Sequence, residues 1–392
     1  MRRSIMDVAI VGVGLHPFGR HDGVSGLAMG VQAARNALHD AGVGWSDVQF
    51  AVGGSMGGVL GEPQAPTPDA LVGELGLTGL PFVNVTNACA TAGTAVDVAA
   101  QSLISGKYDV VMALGFDKHP RGHFNLGSSF AGLPSWYAET GMMVTTQFFA
   151  MKTHRYMHDH GISHRSLARV AAKAYRNGAA NGNAWRRKPF TEEEILTSRM
   201  LNYPLTQYMF CSPDEGAGAV VLCRADHAHR YTDRPIYLRA ATTRTRRFGT
   251  FEVFSPSLAP DSPDSPTVEA VRACYEQAGV GPEDIDIAQV QDSDSGSEII
   301  QMAETGLCEH GEQESMIERR ETDIGGRLPV NTDGGLLANG EPVGASGMRQ
   351  IHEITLQLRG DAGSRQVPGT LRTGLTQVYG APGIAGCTIM ST

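Results

Sequence analysis

Short apolar runs alternate with amphipathic stretches along the first third of the chain. Strand-length runs are predicted over Asp7–Leu15, Gln49–Val52, Val83–Thr86 and Asp109–Leu114. Between them, Leu27–Ala41 and Ala90–Ile104 carry apolar residues at helical spacing and stop at Gly42 and Gly106. This is the rhythm of an α/β protein with a parallel sheet flanked by helices. From about 117 to 213 the rhythm breaks into an insertion, with helical stretches at Thr146–His160 and His164–Asn177 and another helix near Glu192. Strand patterning resumes at Ala217–Cys223, and Ile236–Ala241 opens a second half with a helix at Val268–Ala278 and a strand at Asp286–Val290.

The restart is an internal repeat. Gln32–Val48 (QAARNALHDAGVGWSDV) aligns without gaps on Glu269–Ile285 (EAVRACYEQAGVGPEDI), sharing AGVG and a following Asp. A weaker echo sets Cys89–Gly93 against Gly340–Gly344, each ahead of a helix. The expected organisation is an N-terminal half, 1–232, containing the insertion, and a C-terminal half, 233–392, with a ligand site where the two helix starts meet.

Composition narrows the classes. The net charge is -9, which argues against a sequence-independent grip on nucleic acid. Six scattered cysteines without a CxxC pair suit reduced thiols in a reducing, cytoplasmic-type compartment and give no zinc signature. The N-terminal MRRSIMDVAIVGVG reads as a strand, not a signal, and no apolar stretch is long enough for a membrane span. His154, His158, His160 and His164 lie at near-helical spacing but lack a companion ligand set, so no metal is expected.

Cys89 is the sharpest chemical feature. It follows the strand FVNVT and precedes a helix of small residues, where the helix dipole favours a thiolate. A small cysteine packing a strand-to-helix turn is the competing reading. Two other motifs fail on context. Gly12-Val13-Gly14 lacks the third glycine of a dinucleotide fingerprint, and Gly53–Gly57 (GGSMG) does not run into a helix.

The motifs VTNACATAGTAV, CSPDEGAGAVVL, GLCEHGE and LPVNTDGGLLANGEPVGASGMRQ, in this order, resemble thiolases of the sterol-carrier-protein type over nearly the whole chain. The resemblance implies the thiolase fold, two duplicated βαβαβαββ halves in a five-layer α-β-α-β-α core, with Cys89 as nucleophile. It also implies acyl-CoA as substrate, no covalently bound cofactor, a homodimer, and in some relatives a small zinc-ribbon and OB-fold partner. Two family histidines are replaced. Gln291-Asp292-Ser293-Asp294 stands for an HDCF-like motif, and Gly340-Glu341-Pro342 for GHP. The second catalytic cysteine is also missing, since the C-terminal turn is QVYGAPG, Gln377–Gly383.

The implied constellation is Cys89, Gln291 and Glu341, with Ser293 lining the site and Tyr379-Gly380 backbone at the oxyanion position. Gln291 is expected to donate to a thioester oxygen, and Glu341 to accept a proton once desolvation raises its pKa. The insertion is basic (Lys152, Arg155, Arg165, Arg169, Lys173, Arg176, then Arg186-Arg187-Lys188), which suggests a surface for the CoA phosphates, with Arg186 and Arg187 foremost. Three functions fit: an acyltransferase working through an acyl-Cys89 intermediate, a retro-aldol lyase of 3-hydroxyacyl-CoA, or a non-catalytic acyl-CoA or lipid-binding subunit.

Overall fold

The computed structural model describes residues 7–62, 64–122, 124, 134–250 and 263–392. Parts of the two expected halves and of the insertion (1–6, 63, 123, 125–133 and 251–262) lie outside the described residues. The strands are β1 (Val8–Gly19), β2 (Phe50–Gly54), β3 (Phe82–Val85), β4 (Val110–Lys118), the hairpin β5 (Met200–Asn202) and β6 (Leu205–Thr206), β7 (Glu215–Arg224), β8 (Ile236–Thr245), β9 (Ile287–Gln289), β10 (Thr373–Gly380) and β11 (Ile384–Ser391). The helices are α1 (Gly26–Ala41), α2 (Val72–Leu75), α3 (Thr91–Ile104), α4 (Trp136–Glu139), α5 (Thr145–His160), α6 (His164–Ala179), α7 (Glu192–Leu196), α8 (Pro266–Ala278), α9 (Ser295–Glu304), α10 (Gln313–Glu318), α11 (Gly335–Asn339) and α12 (Ser346–Arg359).

Nine strands run in the order β3-β2-β4-β7-β1-β8-β11-β10-β9. The sheet is mixed, which corrects the parallel expectation. Only β3-β2-β4 and β10-β9 pair in parallel, while β7, β1, β8 and β11 run antiparallel to their neighbours. Hydrophobic periodicity reports which face of a strand is buried and carries no strand direction. The two halves join along a three-residue ladder, Val8–Ile10 on Ile236–Leu238.

Helices supply the other layers. α1 covers the outer face of the N-terminal strands and α8 that of the C-terminal strands, each over its own apolar cluster. α3 and α12 lie between the halves and contact strands of both, giving the five-layer thiolase fold. They cross closely: a Cβ on Gly347 would meet Ala92 Cβ at 2.9 Å.

The AGVG repeat has a backbone cause. Gly42 and Gly279 both end their helices in the left-handed region, at φ 63° and 71°. In the turn that follows, Gly44 N donates to Asp47 Oδ2 at 3.0 Å and Gly281 N to Asp284 Oδ2 at 2.8 Å. In the C-terminal half, the position matching an edge strand is reduced to a single bridge, Ala288 to Val330.

The insertion is a packed layer with its own core. Phe148, Phe149, Leu167 and Tyr175 pack with Phe210, Leu336 and Leu337. Many of its cations pair with carboxylates. Lys173 is buried on Glu298 at 2.5 Å, Arg155 pairs with Asp159, Arg165 and Arg169 with Glu192, and Arg176 with Asp323.

Candidate active site

The turn carrying Cys89 is held by one hydroxyl. Thr91 Oγ1 accepts from Asn87 N at 2.8 Å and donates to Ala88 O at 2.5 Å, with Ala88 at φ 48°. A non-glycine residue in that region is sparsely populated backbone that needs such support. The turn aims Cys89 into a cavity just ahead of α3. Gly380, at the end of β10, presses on the same turn, and a Cβ there would meet Asn87 O at 2.8 Å and Cys89 N at 3.0 Å. Only glycine allows β10 this close to the Cys89 amide.

The cavity is apolar, with about 460 Å³ of atom-free space including its mouth. Its walls include Met56, Leu60, Phe124, Phe149, Phe210, Val343 and Ala381, with Cys89, Thr145, Ser293 and Glu341 as its polar points. Sequence reasoning therefore brings Cys89, Glu341 and Ser293 into one chamber, with Gln291 directly behind Glu341. Tyr379 is buried at its rear, edge-on to Phe149 and beneath the Lys152 ammonium.

Glu341 is the hub. It is 2 % exposed. Its Oε1 accepts from Gln291 Nε2 at 3.0 Å and its Oε2 from Cys211 Sγ at 3.2 Å, and the Cys89 thiol is near enough that each perturbs the other's ionisation. Burial raises its pKa, and these donors offset part of that rise. Cys89 departs from expectation: burial and the Glu341 charge push its thiol well above the usual range. Gln291 also departs, since its amide N–H holds the carboxylate and its backbone N–H is bound by Gln377. Ser293 Oγ is buried without a hydrogen-bond partner.

Two residues near Glu341 had no role in the sequence reading. Cys211 looked like one more scattered cysteine. His119 is buried, and Val343 N donates to its Nε2 at 3.0 Å. Beside it, Asp117 accepts from Gly344 N at 2.6 Å, Ser55 Oγ at 2.6 Å, Met56 N at 2.9 Å and Gly57 N at 2.9 Å. The GGSMG loop thus serves as a ring of donors that fixes the segment after Glu341. No group of residues suited to a metal ion occurs among the described residues.

Of the two arginines foreseen for CoA, Arg186 donates to Leu337 O at 3.1 Å and Ser212 Oγ at 2.6 Å and stacks on Trp185. Arg187 is exposed. A second, wider groove abuts the cavity through Phe124 and Phe210, and its lining includes Arg199, Asn202, Gln207, Cys211 and Ser212. Arg199 is exposed there.

Comparison with known proteins agrees with this architecture. The thiolase N-terminal domain family matches residues 8–196, and the thiolase C-terminal domain-like family matches residues 255–391. The acetyl-CoA acetyltransferase of Methanothermobacter thermautotrophicus is 34% identical over 96% of this chain and 97% of that protein. Sterol carrier protein 2 of Oryctolagus cuniculus is 31% identical over 97% of this chain and 71% of that protein. The benzoylsuccinyl-CoA thiolase subunit BbsB of Thauera aromatica is 31% identical over 98% and 96%. Among solved structures, a chain of the Ltp2-ChsH2(DUF35) aldolase superposes with a TM-score of 0.86 at 26% identity, covering 99% of this chain and 98% of that one. No helix among the described residues is long and apolar enough to cross a membrane. The fold, the nucleophile turn and these full-length likenesses place the chain in the thiolase superfamily, on its sterol-carrier-protein-type branch, as a thiolase-like enzyme of acyl-CoA chemistry.

Proposed function

We propose that the protein transfers acyl groups between acyl-CoA thioesters by making or breaking a carbon-carbon bond through an acyl-Cys89 intermediate, with Glu341 as the single proton carrier. The observation that supports this most directly is that Cys89 and Glu341 line one apolar chamber, near enough to perturb each other's ionisation. Glu341 takes the thiol proton as Cys89 attacks the thioester carbon, and gives it to the departing CoA sulfur. It then takes an α-proton from a second acyl-CoA. The resulting enolate attacks the acyl-cysteine, and the proton returns to the Cys89 sulfur. Run backwards, the cycle is thiolysis. The cavity walls favour an apolar acyl group, and the outer groove with Arg199 suits the CoA portion.

A retro-aldol reading rests on a specific likeness, the aldolase chain above. There Glu341 would take the 3-hydroxyl proton and Cys89 would stay a neutral thiol, which its raised pKa accommodates. The DUF35 component of that assembly also supports a small partner subunit for this chain. Intact-mass analysis after mixing with acetyl-CoA and longer acyl-CoAs tests the first reading. An acyl adduct absent in Cys89→Ala is expected. A protein that stays unmodified yet cleaves a 3-hydroxyacyl-CoA to a carbonyl product would replace transfer with retro-aldol cleavage.

A further inference from the structure

We propose that Cys211 is a positioning residue that sets the basicity of Glu341 by donating its S–H to the carboxylate from the side opposite Gln291. The inference rests on the reading of Glu341 as the proton carrier.

The geometry is built by backbone. The segment around Cys211 is clamped between two others: Cys211 N donates to Ser293 O at 2.9 Å and Phe210 bridges to Asp294 on one side. On the other, Glu341 N donates to Ser212 O at 2.9 Å and Pro213 bridges to Glu341. This short three-way pairing fixes the register of Cys211 against Glu341 and puts its Sγ 3.2 Å from Oε2. Cys211 is 4 % exposed and also lines the outer groove, so it forms part of the partition between that groove and the chamber.

The groups facing Glu341 come from five places. Cys89 lies at the start of α3, Cys211 after the β5-β6 hairpin, Gln291 after β9, His119 just past β4, and Asp214 just before β7. Asp117 and Asp292 act on the two thiols from further away. Asp214 is buried with both carboxyl oxygens unpartnered, and burial pushes its pKa well up, so in its neutral form it adds no repelling charge beside Glu341. Against the desolvation that raises its pKa, Glu341 is therefore helped to ionise by its hydrogen-bond donors and by His119. The Cys211 thiol is itself pushed well above the usual range by burial and by Glu341, so at working pH it is a donor and adds no charge.

The test uses full-length protein. The ionisation of Glu341 is read without substrate by pH-difference infrared spectroscopy, with Glu341→Gln identifying its carboxyl band. In Cys211→Ala the midpoint should rise by about one pH unit, the size expected for a lost hydrogen bond to a carboxylate. Cys211→Ser, which keeps a donor, should return it to the wild-type midpoint or below. The acidic limb of kcat should move with the midpoint while KM for acyl-CoA holds. An unchanged midpoint in Cys211→Ala, or a serine variant that behaves like alanine, overturns the inference. If Cys211→Ala fails to fold, a rise in Cys211→Ser overturns it equally. Full activity of Glu341→Gln would remove the base reading instead, and the infrared midpoint would still judge Cys211.

Discussion

Glu341→Gln should produce an enzyme that turns over poorly while its cysteine becomes more reactive. The substitution keeps the shape of the side chain and an oxygen for Gln291, and it removes a negative charge that touches both Cys89 and Cys211. An adjacent like charge moves a buried thiol by about 1–3 pH units. Taking about two units, the thiolate fraction of Cys89 near pH 8 rises about a hundredfold. A more acidic thiol is a weaker nucleophile, with a Brønsted slope of about 0.4–0.5, which takes back about tenfold. Cys89 should therefore be alkylated by iodoacetamide about tenfold faster in the variant, read by mass mapping against Cys223 as an internal reference. Turnover should fall about a hundredfold or more, because no other group in the chamber takes the proton.

Stability should move the other way from activity. The Glu341 pKa is raised in the folded protein, so the folded state holds that proton more tightly than the unfolded chain does. The native state then binds more protons between the ordinary carboxyl value and the raised one, and unfolding free energy falls as pH climbs through that window. Glutamine has no such loss, so the variant should be at least as stable as wild type at pH 7 to 8. Equal labelling rates, with turnover near wild type, would refute both the charge coupling and the assignment of the base.

Three further outcomes can be measured directly. Asp294 caps α9 by accepting from Gly296 N at 2.8 Å and Ser297 N at 3.1 Å, so Asp294→Ala should lower unfolding free energy by about 1–2 kcal/mol in denaturant titrations. Arg199→Ala should weaken acyl-CoA binding by an amount that shrinks with added salt, whereas Arg186→Ala should chiefly lower the melting temperature through its bonds to Leu337 and Ser212. Strand β3 ends the sheet with an open edge and Val83 is 40% exposed, so the protein should sediment as a dimer paired along β3, and Val83→Lys should shift it to monomer.

The parts of this structure that were legible in the sequence are those encoded locally. AGVGxxD could be read because a left-handed helix end and an Asp that accepts from a turn amide need those residues at that spacing. The Cys89 turn could be read because a strand, a polar pair and a small-residue helix follow each other without a gap. Contacts between distant segments left no such trace. Cys211 reaches Glu341 across 130 residues and His119 meets the backbone of Val343 across 224, and neither sits in a periodic pattern. The pairing of the basic insertion was hidden for a related reason: a sequence displays its arginines and lysines, while many of the carboxylates that pair with them arrive from other elements. Lys173 and Glu298 are 125 residues apart.

The exchange of an imidazole for a carboxylate beside an oxyanion need not be electrostatically ruinous. An ionised Glu341 would repel an enolate formed in the same apolar chamber, and the low dielectric would strengthen that repulsion. In the proposed cycle, however, the proton that leaves the substrate is the one Glu341 receives, so the carboxylate loses its charge as the enolate gains one. The chamber carries a single net charge before and after the step. A neutral Glu341 then presents an O–H towards the developing anion, and the raised pKa that made it a competent base also makes it a poor acid, willing to share that proton without surrendering it to solvent. Burial thus does for this carboxyl what aromatic nitrogen chemistry does for histidine: it brings the affinity for a proton towards neutrality. In that cycle the cost falls on Cys89, whose thiol would have to ionise against the same charge and so would attack only as Glu341 takes its proton. Under the proposed roles, nucleophile and base would therefore act in one step.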